Sequence, residues 1–334
     1  MNDQSNVNPT ANLGPTANMN PTADMSPTSN TNATSHTDSG SNTNSASNLN
    51  PVSSSNSSLH SDGAPDSSPT PGCDHTLGDQ YSGFFAEFYD IIHAGLGDVE
   101  SWIEFGRRFG PGILELGSGT GRITIPLAKA GFTVTGIDLS DDMIRRYKAK
   151  LALEDEGTRS RVSIVKGDIT RFQLERQFDL AIAPCNVINH LWEPGKLSQA
   201  LTRARHHLKD SGVFILDNSI PDIQYMAGVN GVERVFEFEH PLTGTRIVDR
   251  FKSNYDFVNQ LEHDSITIEE YDDSGNLLRH ATSQGTMAYF FPRELRLLLE
   301  SSGFAIFHEQ GSLLEDSPIG PESTEMVFFC RRVF

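Results

Sequence analysis

Ile113-Leu-Glu-Leu-Gly-Ser-Gly-Thr-Gly-Arg122, followed by Ile137-Asp138, is the stretch that decides the fold. Ile113 to Leu116 is a short apolar run broken only by Glu115, the pattern of a buried parallel strand. Gly117, Gly119 and Gly121 then form a loop in which no side chain keeps a ligand from the backbone. A helix is predicted next, with Ile123, Leu127 and Ala130 on its packing face and Gly131 at its end. Phe132 to Ile137 is the second strand, and Asp138 stands at its carboxyl end. Strand, glycine loop, helix, strand and acid make the ribose-binding half of a doubly wound α/β sheet.

The loop spacing separates two kinds of cofactor. A dinucleotide loop follows G-x-G-x-x-G, but here Arg122 holds the third-glycine position and the glycine falls one place early, at Gly121. Glu115, two residues before the first glycine, would also set like charge against a pyrophosphate. A carboxylate there suits a ligand that brings a cationic amine and no phosphate. This set, Glu-Leu-Gly-Ser-Gly-Thr-Gly-Arg and then Ile-Asp, resembles the first two motifs of the class I S-adenosylmethionine-dependent methyltransferases. The resemblance implies a Rossmann-like seven-stranded sheet and S-adenosyl-L-methionine as cofactor. Its expected contacts here are Glu115, Gly117, Ser118, Gly119 and Gly121, with Asp138 and Leu139 after the second strand.

Working outward, Ser140 is an N-cap for a helix over Asp141 to Leu153, with Met143, Ile144 and Tyr147 inward. Val162 to Val165 is the third strand, ending at Asp168-Ile169. A lone Gly-Asp is often only a turn. In register with the first two motifs, however, the pair resembles the family's adenine-edge motif, with Asp168 on the exocyclic amine and Ile169 on the ring. Phe178 to Ala183 is the fourth strand, and Pro184-Cys-Asn-Val-Ile-Asn-His190 lies at its carboxyl end, where open α/β sheets bind ligands. Pro184 is expected at the cofactor, and His190 is the candidate catalytic residue, an imidazole that titrates near neutral pH. A comparable His-Leu occurs here in the amino-sugar N,N-dimethyltransferases. A buried core histidine is the alternative.

Tyr81 to His93 predicts a short aromatic helix over the ligand edge. Its Tyr89-Asp-Ile-Ile-His93, followed by Gly95 and Gly97, resembles the leading segment of those same enzymes, which implies that Tyr89 helps close the cofactor pocket. An aromatic staple in a core helix fits the residues equally. Asp98 to Arg108 is a second amphipathic helix. Leu197 to Leu208 is a further helix, Lys209 to Gly212 a turn, and Val213 to Leu216 the fifth strand. The βα alternation then stops. Val235, Phe238, Ile247, Tyr255, Phe257, Ile266 and Ile268 fall among polar partners, and Asp272-Asp-Ser-Gly275 is a hairpin turn. An antiparallel β insertion is expected over about 219–290, building a substrate lid or a homodimer face. Pro292 to Ser302 is the last helix, and Phe304 to Phe307 and Met326 to Cys330 close the sheet, one of them antiparallel.

The first residues differ in kind. Residues 1–78 are Asn, Ser, Thr, Pro, Ala and Gly with a degenerate six-residue repeat at Pro9, Pro15, Pro21 and Pro27. They offer too little apolar surface to offset the entropy of folding, so a disordered low-complexity tail is expected before a methyltransferase domain over 79–334. No Lys or Arg precedes Arg107, and no apolar run is long enough to cross a bilayer. With Cys73, Cys185 and Cys330 unpatterned, the expectation is a cytoplasmic protein with free thiols, no metal site and no membrane partner.

The formal net charge is −18, and setting aside six tail aspartates leaves 38 acids against 26 bases, the wrong sign for a phosphate backbone. Nucleic acid is excluded as the acceptor. The expected function is methyl transfer to a nitrogen or oxygen of a small-molecule metabolite. The rival is a non-catalytic adenosine-cofactor-binding module that presents its acidic tail to a partner protein. A dehydrogenase is disfavoured by Arg122.

Overall fold

The computed structural model of the chain describes residues 81–93 and 95–333. The tail expected over 1–78 lies outside the described residues, as does Cys73. The described chain enters through two helices, α1 (Gly83–Ile92) and α2 (Val99–Phe109). Strand β1 (Gly112–Leu116), helix α3 (Thr124–Lys129) and strand β2 (Thr133–Asp138) follow as the glycine motif requires. Next come α4 (Asp141–Leu151), α5 (Glu156–Ser160), β3 (Val162–Lys166) and β4 (Phe178–Ala183). A 3-10 turn (Val187–His190) leads into α6 (Lys196–His206) and β5 (Leu208–Ser219). After α7 (Ile223–Val229) come β6 (Glu233–Glu239), β7 (Arg246–Asp256), β8 (Leu261–Tyr271) and β9 (Leu277–Ala288). Helix α8 (Pro292–Ser301), β10 (Phe304–Gln310) and β11 (Glu325–Arg332) close the chain.

Seven strands form the main sheet in the order β10-β11-β5-β4-β1-β2-β3. Strand β1 pairs in parallel with both β2 and β4, and only β11 runs against its neighbours. The winding reverses between β1 and β4, so the crevice beyond their carboxyl ends is the expected ligand position. Successive residues of each strand face opposite layers. Ile113, Leu180, Ile215 and Phe329 pack with Trp102 and Phe105 of α2 and Leu127 of α3. Leu114, Leu116, Phe214 and Phe328 pack with Leu201 of α6 and Leu295 and Leu299 of α8. Apolar alternation therefore cannot fix the register of β1, because both of its faces are buried. Glu115 can, since it is the one polar side chain in the strand and needs a partner.

Three sequence expectations are corrected. Helix α3 ends at Lys129, so Ala130 is exposed and Ala128 takes its place in the core. The predicted turn at Lys209 to Gly212 is an irregularity inside β5, where pairing steps from Phe178–Leu208 to Leu180–Val213. In the insertion, Val235 and Phe257 are exposed, Phe257 in the connection between β7 and β8.

The insertion is a separate four-stranded antiparallel sheet, β6-β7-β8-β9, preceded by α7. Its β8–β9 hairpin turns at Asp272 to Gly275, with Gly275 at φ +80° and its amide 3.0 Å from the Asp272 carbonyl. Helix α1 lies against this sheet: Phe88 packs on Ile247 and Ile268, and Arg279 forks onto Glu87 at 3.0 Å from each carboxylate oxygen.

Candidate active site

The glycine loop joins β1 to α3 and is shaped from both sides. A Cβ on Gly117 would lie 2.2 Å from Val187 in the turn after β4, and one on Gly121 would lie 2.4 Å from the Tyr147 ring. Both residues also have positive φ, 69° and 77°, so any side chain would force the loop open. Asp138 holds the far side: its carboxylate accepts from the Gly119 amide at 2.6 Å and from the Ser140 amide at 2.9 Å. Lys166 pairs with Asp138 across β2 and β3, which brings Asp168 into the same edge. The Asp168 carboxylate accepts from the Thr170 amide and hydroxyl at 2.8 and 2.7 Å. Burial works against it, yet these bonds and Arg171 hold the carboxyl below its usual range. Ile169 beside it is half-buried, and Leu139 is 62% exposed at the rim.

Glu115 does not stand open as expected. It is buried beneath the loop, where the Thr124 hydroxyl donates to its carboxyl. Burial pushes that carboxyl up to about 8 against the opposing effects of Thr124 and Arg122. The acid therefore braces the loop from below and carries a proton at neutral pH.

Helix α1 closes the other side. The Tyr89 ring stands 4.0 Å from where a Gly119 Cβ would be, and it stacks on His93 with ring centres 4.1 Å apart. Asp90 receives Lys150 at 2.8 and 2.9 Å and the Thr120 hydroxyl at 2.5 Å, which clamps the loop to α1 and α4. Arg122 forks onto Asp98 at 2.5 and 2.8 Å, with both side chains mostly buried. The guanidinium in the third-glycine position thus already has its anion.

At the end of β4, buried Pro184 precedes two residues in the left-handed region, Cys185 at φ 60° and Asn186 at φ 56°. Such a pair without glycine persists only where its surroundings hold it. Here the Cys185 amide donates to Asp217 at 2.8 Å, and Asn186 Oδ1 accepts from the Ser219 amide at 2.6 Å. Strand β5 therefore ties down the turn that carries His190. Asn189 Oδ1, in the same turn, is buried with no hydrogen-bond partner among the described residues. His190 Nε2 lies 3.1 Å from the Tyr81 hydroxyl, and the two rings meet edge to face at 5.2 Å. Burial pushes the imidazole down to about 4. The expectation of a histidine titrating near neutrality is overturned: enclosed among aromatic rings, the ring cannot hold a proton at pH 7. Burial raises the Tyr81 phenol in turn, so both partners are neutral.

Sequence reasoning missed Tyr81, Asp98 and the left-handed Cys185. Asp90 was in view only as part of a motif. An Asn at position 186 is a weak signal for left-handed backbone, but nothing local marks the other four.

Residues 113–212 match the family model described as a methyltransferase domain. A Geobacillus sp. (strain WCH70) protein, a methyltransferase by name, is 25% identical over 68% of this chain and 86% of its own. The chain is a class I S-adenosylmethionine-dependent methyltransferase. The dTDP-3-amino-3,6-dideoxy-alpha-D-glucopyranose N,N-dimethyltransferase of Streptomyces fradiae is 31% identical to this methyltransferase, over 42% of this chain and 56% of that one. The CcbJ methyltransferase of Streptomyces caelestis shares the fold, with a TM-score of 0.61 at 23% identity over 77% and 98% of the two chains. The methyltransferase's loop fits S-adenosylmethionine on its own chemistry. The Ser118 hydroxyl is buried without a partner among the described residues, the Gly119 backbone lies open beneath the Tyr89 ring, and Arg122 is committed to Asp98 rather than to a phosphate. Among the described residues no cluster of His, Cys, Asp or Glu could hold a metal ion, and no helix is long and apolar enough to cross a membrane.

Proposed function

We propose that the enzyme transfers the methyl group of S-adenosylmethionine to a nitrogen of a small, amine-bearing metabolite. The observation that carries this reading is the neutral Tyr81–His190 pair beyond β4. A hydroxyl acceptor needs a base, and an imidazole held at about 4 is a poor one. An amine needs only to arrive unprotonated, and a dry aromatic chamber favours the uncharged form. The amino-sugar N,N-dimethyltransferase named above supports nitrogen over oxygen.

The bound cofactor supplies an activated methyl on its sulfonium; the chain holds, orients and dries the site. In this reading Asp138 takes the ribose hydroxyls, with Leu139 over the adenosine. Asp168 accepts from the adenine amine and Ile169 packs on its ring. The backbone of Gly117, Ser118, Gly119 and Gly121 receives the amino-acid end. Glu115 fixes the loop from below, and Tyr89 and Pro184 wall the sulfonium. His190 orients the acceptor nitrogen by accepting one of its N–H bonds. Free Cys185 and Cys330 suit a reducing cytoplasm. A homodimer through the insertion would have to cover an outer face laced with ion pairs such as Arg250–Glu269 and Arg246–Glu237, and sedimentation velocity reads it directly.

The test is product analysis with methyl-labelled S-adenosylmethionine and paired acceptors, nucleotide-linked amino sugars against their hydroxyl counterparts. Label recovered on nitrogen is expected. Label found only on oxygen removes the proposal.

A further inference from the structure

The inner face of the second sheet carries charge that the fold leaves unanswered. Register puts Asp249, Ser253 and Asp264 on the same face as Ile247 and Ile268, the face against which α1 packs. Asp249 and Asp264 are 4% and 5% exposed, and the Oδ1 atom of each is buried with no hydrogen-bond partner among the described residues. A buried carboxylate oxygen without a donor costs stability, so a sheet built only for support would not keep two of them.

The other charged groups on this face do not answer them. Glu270 is taken by Arg279 and by the Thr245 hydroxyl. Glu262 faces Tyr255 and adds to the negative charge on Asp264. Among the described residues Arg234 is the cation that acts on both acids, but it donates to Tyr225 of α7 at 2.5 Å and lies over the Phe251 ring at 4.8 Å. Two buried carboxyls outnumber this one guanidinium, which is already engaged elsewhere. Asp264 also faces the reaction chamber. Its charge acts on Tyr81, the residue that touches His190, as does the charge of Asp138 at the end of β2.

We propose that Asp249 and Asp264 form the acceptor subsite, their orphan oxygens receiving the N–H groups of the amine to be methylated. The inference rests on the nitrogen reading above and adds to it the residues that select for nitrogen. An amine that enters as an ammonium passes one proton to a carboxylate: an N–H bond breaks, a carboxyl O–H bond forms, and the pair stays on nitrogen as the nucleophile. The raised proton affinity of both acids suits that transfer. Burial pushes Asp249 up to about 6, and burial with the Glu262 charge raises Asp264. His190 and the acids thus hold the nitrogen from two sides.

The test uses the full chain saturated with S-adenosylhomocysteine, titrated by ligand-observed NMR with cyclohexylamine and with cyclohexanol, which differ only at the group in question. The wild type should prefer the amine by about tenfold or more, the range of a charge-assisted hydrogen bond. Asp249→Asn with Asp264→Asn should bring the two probes within about threefold while S-adenosylhomocysteine affinity holds. Either single variant should melt no lower than the wild type, because each exchanges an unsatisfied acid for an amide of the same shape. A wild type indifferent to the probes, or a double variant that keeps the preference, overturns the subsite. So does a fall in melting temperature together with loss of cofactor affinity, which marks the acids as structural. A wild type that prefers cyclohexylamine but yields only O-methyl products supports the subsite and sinks the nitrogen reaction alone.

Discussion

His190 shows how a residue type can be right and its protonation wrong. Its unperturbed pKa suggests a base, but its ring meets Tyr81 in a chamber that keeps it neutral. Removing the ring by His190→Ala should therefore leave cofactor affinity intact and slow turnover by roughly tenfold, the worth of one orienting hydrogen bond. His190→Asn should recover most of the loss, because an amide can accept the same bond without titrating. Turnover measured against pH should show no limb near 6.5 that disappears in the Asn variant; such a limb would restore the imidazole as a base. Glu115 makes the complementary prediction on stability. Its folded pKa of about 8 lies above the unfolded value of about 4.3, so its contribution is full in acid and declines as pH rises between the two. Glu115→Gln keeps an acceptor for Thr124 and removes the ionisable proton. The melting temperature of the variant should fall less than that of the wild type between pH 5 and 8, and parallel curves would show that burial of the acid is overstated. Asp138 and Asp168 were legible because each stands just beyond a strand end, where the ligand edge of such a sheet must lie. Tyr81 and Asp98 were not, since their partners are 109 and 24 residues away.

Among the elements, α1 carries the most varied load. Phe88 binds it to the second sheet, Asp90 to the glycine loop and Tyr89 to the cofactor side. The aromatic spacing predicted the helix but not the Asp90–Lys150–Thr120 knot, because a Lys sixty residues on looks like any solvated lysine. Asp90→Ala strands the Lys150 ammonium and the Thr120 hydroxyl, and loses about 1–3 kcal/mol of local bonding. Cofactor affinity measured by calorimetry should fall several-fold, with the main unfolding transition moved by only a few degrees. Unchanged affinity would mean that the loop keeps its shape without α1. The β insertion was legible as strands and as one hairpin. Which strands paired was open, and so was the hidden acid pair on their inner face, since alternation reports burial and not what is buried.

At the scale of the molecule, the doubly wound sheet came from one motif because strand, loop, helix and acid leave a single right-handed way to close. The lower-level errors, Ala130 and the bulge in β5, are places where a residue more or less made no difference to that closure. A chain beginning at Asp79 should melt with the wild-type enthalpy and bind S-adenosylhomocysteine as tightly as the whole. We expect this from the composition of the residues removed, and calorimetry on both chains decides it; a lost transition would assign those residues a part in the fold.

Because one helix touches both the cofactor loop and the sheet that faces the acceptor, the two chambers share a door. Lifting α1 to admit S-adenosylmethionine breaks the Glu87–Arg279 fork and unpacks Phe88, which opens the acceptor side as well. Traffic should then be sequential, with the cofactor seated before the acceptor and the demethylated cofactor last to leave. Rapid mixing should show a burst of methylated product ahead of a slower steady rate, and the slower rate should rise in Arg279→Ala, where the door swings on one hinge pin fewer.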